Sequence, residues 1–286
     1  MLLSELQRIS SHLLWLATSG MDLGATSMMI YGFRERDMVL ALFEKTPGAD
    51  EPQLHPPRGH RGGAPRRLGG RRGRHLRPYD YRDLFTGQPI FRARTESMGA
   101  ISAKEAIALS ATGPILRSTG VPWDLRRTKP YLAYDQVGFD VIVGTYGHNF
   151  DRYAIRLDEV RESVRIVRQV LGKMHRSDYR VQDKKVTPPP RARTDESMEA
   201  LIHHFKLYTE GFHVPEGEVY AAVESSRGEI GCYLVSDGSA KPYRCHIRAP
   251  SFVNLQSLPA MLRGCLLADC VATVSSLDPV MDEVDR

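Results

Sequence analysis

The sequence lacks the features that mark membrane-spanning, disulfide-rich and metal-binding proteins. It contains no apolar run of the ~18 residues that would suggest a membrane span. It has four cysteines, and none of them forms a Cys-x-x-Cys pair, so a zinc or iron–sulfur site held by this chain is not expected. Since free cysteine is among the most buried residue types, we expect reduced and mostly buried thiols.

Nucleotide-binding and hydrolase motifs are also missing. There is no P-loop, no Gly-x-Gly-x-x-Gly and no His-Glu-x-x-His, and no spacing ties Ser, His and Asp into a triad. No acidic residue lies between Glu51 and Asp80, although this stretch holds eight arginines. Without those eight, the 39 basic residues fall to 31 against 34 acidic ones. The basic charge therefore belongs to one segment, which argues against nucleic-acid binding by the folded body.

Residues 50–78 form a separate segment rich in Arg, Gly and Pro. They show no periodicity and little apolar content, so their composition predicts a loop or disorder. A functional alternative is an arm that binds RNA or a membrane surface.

The first 49 residues predict a helical hairpin. Ser19-Gly20 is the expected break between its two helices, with Asp22 just beyond it. Asp22 alone would favour an N-cap of the second helix. Apolar residues at spacings of three and four form one face of the first helix, which consists of Leu2, Leu6, Ile9, Leu13 and Leu16. The second helix is expected to place on one side Met29, Phe33, Leu40 and Phe43.

The remainder, 79–286, predicts more helices and a small sheet. Residues 151–174 carry the strongest helical period, and Ser102 with Glu105 forms a capping box. A helix starting at Thr194 would carry His203 and His204, whose roles stay open; ordinary helix-face positions are favoured over metal ligands. Residues 139–143 look like a strand, and the period of two over 218–248 predicts a β-hairpin with a third strand. The expected class is mainly α with a small antiparallel β insertion, an α+β helical bundle.

Five long strings resemble one protein family. They are LLSELQRISSHLLWLATSGMDLGA with FRER, TGPILRSTGVPWDLRRTKPY, FDVIVGTYGHNFDRYAIRLDEVRESVRI, EGEVYAAVESSRGEIGCYLVSDGSAKPYRCHIRAPSF and SLDPVMDEVDR. Together they are similar to the quinone-site subunit of respiratory complex I, the D-type subunit of bacterial NADH–quinone oxidoreductase or the 49 kDa subunit of mitochondria. The resemblance covers nearly everything except residues 50–78.

The resemblance implies a fold related to the large subunit of nickel–iron hydrogenases. Those proteins end in Asp-Pro-Cys-x-x-Cys-x-x-His, whereas this chain has Val280 and Glu283 at the cysteine positions and Arg286 at the histidine. Valine and a carboxylate cannot replace thiolates around a soft metal, so no metal is expected. The resemblance instead implies a pocket in which Asp22 and Val280 bind a quinone. Asp278, Glu283 and Arg286 are possible anchors of the tail at 276–286.

The resemblance also implies partners and a location. Electrons from NADH would reach the quinone through iron–sulfur clusters, the last of them on a neighbouring small subunit, and the reaction would drive proton pumping. Other partners would be the membrane-arm subunits, with no nucleic acid and no cofactor held by this chain. The expected location is peripheral, on the cytoplasmic face of the bacterial plasma membrane.

Two departures from the family favour an alternative function. Family members carry, upstream of the first helix, a His-containing loop and a Tyr that bind quinone, and Asp22 matches the carboxylate that pairs with such a histidine. The chain therefore looks N-terminally truncated. In addition, a one-base shift of codons that encode residues 50–61 gives the family-like peptide Met-Asn-His-Ser-Tyr-Ile-Arg-Pro-Gly-Gly-Thr, so residues 50–78 are expected to be out of frame. The alternative is a non-catalytic fragment or pseudogene product, inactive by itself.

Overall fold

The computed structural model describes residues 1–44, 81, 85–174, 183 and 186–285. Residues 50–78 and Arg286 lie outside the described residues, so the interpretations placed on them stay predictions. Within the described part, helices dominate and a three-stranded antiparallel sheet follows late in the chain. This arrangement confirms the predicted α+β class. No helix among these residues combines the length and the apolar character needed to cross a membrane.

The described elements run in a simple order. The first helices are α1 (Leu2–Asp22), α2 (Thr26–Glu44), α3 (Pro89–Thr95), α4 (Ala103–Ala108), α5 (Pro114–Ser118) and α6 (Leu125–Thr128), followed by a 3₁₀ turn at Tyr134–Gln136. The long helix α7 (Asn149–Lys173) precedes α8 (Arg191–Thr194) and α9 (Met198–Thr209). The sheet has the order β1 (Gly217–Glu224), β2 (Glu229–Ser236) and β3 (Arg244–Arg248). The last helices are α10 (Pro250–Leu255), α11 (Leu258–Met261), α12 (Leu267–Leu277) and α13 (Met281–Val284).

Helices α1 and α2 form a tight hairpin that turns at residues 23–25. Gly24 adopts a φ of 84° there. The predicted break at Ser19-Gly20 is wrong, because α1 continues through both residues. A Cβ on Gly20 would lie 2.6 Å from Cβ of Met28, and one on Gly32 would lie 2.7 Å from Cβ of Ala17. Gly20 is therefore a packing residue that lets α2 approach, and the local propensity of glycine to end a helix is overridden.

The apolar face of α1 is confirmed, but the predicted face of α2 is wrong. Leu6, Ile9, Leu13 and Leu16 are all buried. On the predicted side of α2, Phe43 is half-buried against the core, but Met29, Phe33 and Leu40 are exposed. The buried positions of α2 are instead Met28, Gly32, Glu35 and Val39. The reason is that α2 has apolar residues around its whole circumference. Close packing through Gly32 then decides which side faces α1.

Helix α7 carries two buried stripes side by side. Tyr153, Leu157 and Val160 are buried in the main apolar core with α1, and half-buried Val164 packs against it, which confirms the helical period predicted for residues 151–174. One residue earlier at each turn lies a polar stripe that is also buried, consisting of Arg152, Arg156, Glu159 and Ser163. The helix is thus enclosed on two faces, and the second of them carries charge.

The predicted strand at residues 139–143 is not present. Phe139 packs instead with Tyr134 and Ile166 in a small cluster against α7. The backbone of Gly138 forms its hydrogen bonds with a side chain rather than with a neighbouring strand. The Gln169 side chain accepts from the Gly138 N–H at 3.0 Å and donates to the Gly138 carbonyl at 2.6 Å. An aromatic and β-branched run therefore forms an extended loop.

Helix α9 starts at Met198, so the predicted start at Thr194 is wrong. Ser197 is the N-cap, and its hydroxyl accepts from the backbone N–H of Ala200. Ser197 can make this hydrogen bond because its backbone is extended, as is usual at an N-cap. Thr194 is instead the last residue of α8. His203 and His204 lie on α9, whose described residues include no fully buried side chain.

The glycine contact between α1 and α2 gives a stability prediction. Gly32→Ala is expected to lower the free energy of unfolding by about 1–3 kcal/mol, because the added methyl group overlaps Ala17 and the carbonyl of Leu13. Gly172→Ala is the matched control, because a Cβ there meets nothing within 4 Å. Alanine inside a helix is more stable than glycine by about 0.5–1 kcal/mol, so this variant should have a higher free energy of unfolding. Urea unfolding of the three chains measures both effects. Equal changes in the two variants would contradict the packing role of Gly32.

Candidate functional site

Residues from two segments far apart in the sequence meet at one groove. Three of its lining residues recur at spacings of three and four on α1, and others come from α12 and the segment after it. The lining comprises Trp15, Thr18, Asp22, Cys270, Val271, Val274, Ser275, Asp278 and Pro279. Its volume of about 410 Å³ falls within the usual range for small-molecule sites.

Trp15 ties α1 to α12 along one wall of the groove. Its indole Nε1–H donates to the carbonyl oxygen of Ser275 at 2.6 Å, and the hydroxyl of Ser275 donates to that of Ser19 at 2.7 Å. The guanidinium of Arg156 lies 4.2 Å from the centroid of the Trp15 ring. Burial lowers the pKa of Arg156 to about 10. The ring therefore presents a fixed aromatic surface with a buried cation against it.

Asp22 lies in the groove lining and is exposed. It is the last residue of α1, and the residue next to the start of α2 is Ala25. The alternative interpretation of Asp22 as the N-cap of α2 is therefore wrong. The turn at residues 23–25 separates the two positions, because α1 is longer than its glycine suggested.

Asp278 is the buried carboxyl group of the same groove. It ends α12 in the left-handed conformation with a φ of 54°. Its Oδ1 accepts from Arg227 at 3.2 Å, whereas its Oδ2 is buried and has no hydrogen-bond partner among the described residues. Burial raises the pKa of Asp278, against the opposing effect of Arg227 and Arg156. A raised pKa favours the protonated carboxyl group, which can donate a hydrogen bond.

The turn between β1 and β2 enters the helical body and holds Asp278. Arg227 in this turn donates to the backbone carbonyl of Asp278 at 3.1 Å and to the hydroxyl of Ser11 at 2.9 Å. Gly228 lies so close to Gly113 that a Cβ on Gly113 would meet the Gly228 Cα at 2.5 Å. Asn254 of α10 donates to the carbonyl of Arg227 at 3.2 Å. The sheet therefore positions the groove through its tightest turn.

The other predicted tail residues lie next to the groove rather than in its lining. Val280 directly follows Pro279, and its backbone N–H donates to the hydroxyl of Ser251 at 3.2 Å. The carboxylate of Glu283 accepts from the same hydroxyl at 2.7 Å. Ser251 on α10 thus binds the tail twice, which is the kind of contact that a tail anchor makes. Quinone binding by Val280 and Asp22 stays a prediction.

A buried network of charged side chains packs beside the groove residues. Arg117 of α5 is fully buried and donates to Glu159 of α7 at 2.6 Å and to Glu224 of β1 at 2.7 Å. Burial favours the neutral form of Glu159, but Arg117 and a hydrogen bond from His12 outweigh it and hold its pKa well below the usual range. Glu224 behaves differently, because burial outweighs Arg117 and raises its pKa.

A second arginine extends the network to α1. Arg126 of α6 contacts Asp124 at 2.7 Å and Glu5 at 3.2 Å. Tyr134 and Ser163 both donate to the Glu5 carboxylate at 2.6 Å, so this buried anion is satisfied by three neighbours. Such networks stabilise a fold only when their members are nearly all paired.

Sequence reasoning missed Arg227 and the whole charged network. The available signal was the spacing of Glu5, Arg8 and His12 on α1, which repeats at three and four next to the apolar face. Arg152, Arg156 and Glu159 on α7 repeat in the same way. Charged stripes at helical spacing usually face solvent, and only the tertiary structure shows that these are buried.

The described residues contain no group of three His, Cys, Asp or Glu side chains that could hold a metal ion. The expectation of mostly buried thiols is wrong, since Cys245 is exposed and Cys232, Cys265 and Cys270 are half-buried. The reason is that no further layer of structure covers these positions. Two of the cysteines lie on the three-stranded sheet, and the other two lie on α12 and in the turn before it.

Comparison with known proteins settles the family. The family model described as "Respiratory-chain NADH dehydrogenase, 49 Kd subunit" matches residues 22–286. The chain belongs to this family. A D-type subunit of the NADH-quinone oxidoreductase of Roseiflexus sp. (strain RS-1) is 50% identical over 297 residues, covering 100% of this chain and 70% of the relative.

Two further members of the 49 kDa subunit family show the same pattern. The D-type subunit of the NADH-quinone oxidoreductase of Acidothermus cellulolyticus is 45% identical over 312 residues, with 100% of this chain and 70% of the relative covered. Its counterpart in Wolbachia pipientis subsp. Culex pipiens is 43% identical over 294 residues, covering 100% of this chain and 75% of the relative. The resemblance found in the sequence strings is thereby confirmed.

The charged network gives a second stability prediction. Arg117→Met should lower the free energy of unfolding by about 3–5 kcal/mol, because it leaves the carboxylates of Glu159 and Glu224 buried without their cation. Arg165→Met is the control, since its ion pair with Asp140 is exposed and should contribute little. Thermal and urea unfolding measure both. A small effect of Arg117→Met would show that the network is not a stabilising element.

His12 predicts a specific dependence of stability on pH. Burial lowers its pKa from 6.5 to about 4, although Glu159 opposes the shift. Between these values the unfolded chain binds a proton that the folded chain does not. Stability from neutral His12 is therefore complete above about pH 6.5 and is lost as the pH falls towards 4, by up to about 3 kcal/mol.

A variant isolates this contribution from the other acid-titrating groups. His12→Gln keeps a donor for Glu159 but cannot titrate, so its unfolding free energy should fall less steeply than that of the original chain between pH 6.5 and 4. His213→Gln, at an exposed histidine, should leave the slope unchanged. Urea unfolding at a series of pH values compares the three slopes. Identical slopes for all three chains would refute the assignment to His12.

Proposed function

We propose that the chain is a subunit of a proton-translocating NADH–quinone oxidoreductase and forms part of its quinone-reduction site. The family match over residues 22–286 and the names of the relatives support the complex. The groove in which Asp22 of α1 meets Asp278 of the tail supports the site, because two distant segments bring polar groups and an aromatic wall to one small cavity.

The groove has the shape and chemistry that a quinone headgroup needs. The headgroup is a flat apolar ring with two carbonyl oxygens. Trp15, Val274 and Pro279 supply apolar surface for the ring, and the two carboxyl groups supply polar contacts. Val280 follows Pro279 directly and in this proposal borders the headgroup at the edge of the groove. Such a mixture of apolar lining and few polar groups is typical of small-molecule sites.

Reduction of a quinone to a quinol takes up two electrons and two protons, and each carbonyl oxygen becomes a hydroxyl group. Asp278 is suited to donate a hydrogen bond to one oxygen, because its pKa is raised and its Oδ2 has no hydrogen-bond partner among the described residues. Asp22 is exposed, and in the proposal it supplies a second carboxyl group on the solvent side of the groove. The electrons come from NADH through the iron–sulfur clusters of other subunits.

The proposal includes an environment for the chain. Its partners are the other subunits of the complex, above all the small subunit that carries the terminal iron–sulfur cluster, and the membrane-arm subunits. The chain is peripheral, on the cytoplasmic face of the bacterial plasma membrane. The family match and the named relatives support this assignment.

Trp15 offers a direct test of quinone binding by the full chain. The sequence has two tryptophans, and the other one, Trp123, is not in the groove lining. In the variant Trp123→Phe, a soluble dimethoxy-methyl-benzoquinone should quench the fluorescence of Trp15 in a saturable way. Adding Asp278→Ala should weaken the apparent affinity by about tenfold, because the hydrogen bond that this carboxyl group donates to the quinone is lost.

Two controls make the fluorescence test specific. Trp15→Phe leaves Trp123 as reporter and should show only linear, collisional quenching. Asp195→Ala in the Trp123→Phe background removes an exposed carboxylate outside the groove and should leave the affinity unchanged. Linear quenching of Trp15 itself would overturn the proposed site. It is also the result expected from the alternative, a fragment that binds no quinone.

A further inference from the structure

Two thiols lie next to each other on one face of the sheet. In the ladder between β2 and β3, Cys232 pairs with Ile247 and Leu234 pairs with Cys245. The two cysteines are therefore offset by two residues across neighbouring strands, and side chains with this offset point to the same face. Their Sγ atoms are 4.0 Å apart.

The short distance between the two sulfur atoms allows a covalent bond at this position after a shift of the outer strand. The right-handed twist of antiparallel strands brings one set of diagonal neighbours closer together than the other. A disulfide requires the two Sγ atoms to approach by about 2 Å, and diagonal neighbours are typically about 7–8 Å apart at Cα, so the outer strand β3 has to shift towards β2 for the bond to form. Cys245 is exposed and Cys232 is half-buried, so a soluble oxidant reaches the pair.

We propose that Cys232 and Cys245 are a modification site, at which a two-electron oxidant such as hydrogen peroxide produces an intrachain disulfide between β2 and β3. One thiolate attacks the peroxide, the O–O bond breaks, and a sulfenic acid and water form. The second thiol then attacks the sulfenic sulfur, and a second water leaves as the S–S bond forms. In total two thiols are oxidised by two electrons, and peroxide is reduced to two waters.

The surroundings of Cys232 disfavour its thiolate form. Burial raises the pKa of Cys232, and its contact with Cys245 adds to the shift. The reactive thiolate is therefore scarce at neutral pH, and we expect the cross-linking rate to increase with pH.

The bond would strengthen the outer strand of the sheet. β3 pairs only with β2 in the described sheet, and Arg248 at its end donates to the carbonyls of Glu229 and Ser110. A covalent link at Cys245 would limit fraying of β3 at the end remote from Arg248. We expect slower hydrogen exchange in β3 after oxidation.

Tryptic digestion can identify the bond without ambiguity. Cleavage after Arg227, Arg244 and Arg248 separates the two cysteines into peptides 228–244 and 245–248. The full chain is treated with hydrogen peroxide, free thiols are alkylated, and the monomer fraction is digested without reductant. We expect the two peptides to be linked, with a mass lower than their sum by two hydrogen atoms, and to separate when a reductant is added.

Three controls keep the proposal open to refutation. The double variant Cys265→Ser/Cys270→Ser should form the same link, and Cys245→Ser should not. Oxidation in urea should lower the share of the 232–245 link among all disulfides formed, because unfolding removes the proximity of these two thiols. Recovery of both peptides in alkylated form, or linkage mainly to peptide 264–286, would overturn the proposal, as would an equal share of the 232–245 link in urea.

Discussion

The rest of the structure depends on the ion pairs that the buried guanidinium of Arg117 makes. It joins three elements that are far apart in the sequence, because α5 supplies the cation and α7 and β1 supply the carboxylates of Glu159 and Glu224. Apolar packing alone would allow these elements to slide against one another. Two charge-assisted hydrogen bonds of 2.6 and 2.7 Å fix their relative positions, since such bonds are short and directional.

The position of the groove follows from that contact through a short series of neighbours. Glu224 is the last residue of β1, and the turn that follows carries Arg227 into the helical body. Arg227 then holds Asp278, whose left-handed backbone ends α12, and the tail that follows is bound by Ser251 of α10. The carboxyl group in the groove is thus set by an ion pair on the other side of the turn. This is a long-range structural reason for the charges that lie beneath the site.

Local sequence patterns predicted the elements whose stability is local. The period of α7 and the capping box at Ser102 depend on neighbours within two turns, and both are confirmed. Gly20 was misinterpreted because its role depends on Met28 in another helix. The buried charged stripes were missed because a charged residue at helical spacing looks the same whether water or another charge faces it.

The candidate site shows the same limit more sharply. Nothing in the spacing of residues indicates that α1 and the tail form one groove, so the spacing alone points only to an isolated carboxylate. The resemblance to a family supplied Asp22 as a quinone contact and Asp278 only as a possible tail anchor, and the structure brings both to one cavity. Arg227 was found only from its contacts, because an arginine in a hairpin turn usually points into solvent.

The bond between Trp15 and Ser275 has a consequence for the synthesis of the protein. The two residues are 260 positions apart, so the ribosome makes one wall of the groove long before the other. Until α12 emerges, α1 presents its indole without the partner that covers it. The nascent chain therefore passes through a long period in which this helix is a target for chaperones and for aggregation, and the groove closes only after α12 has been made.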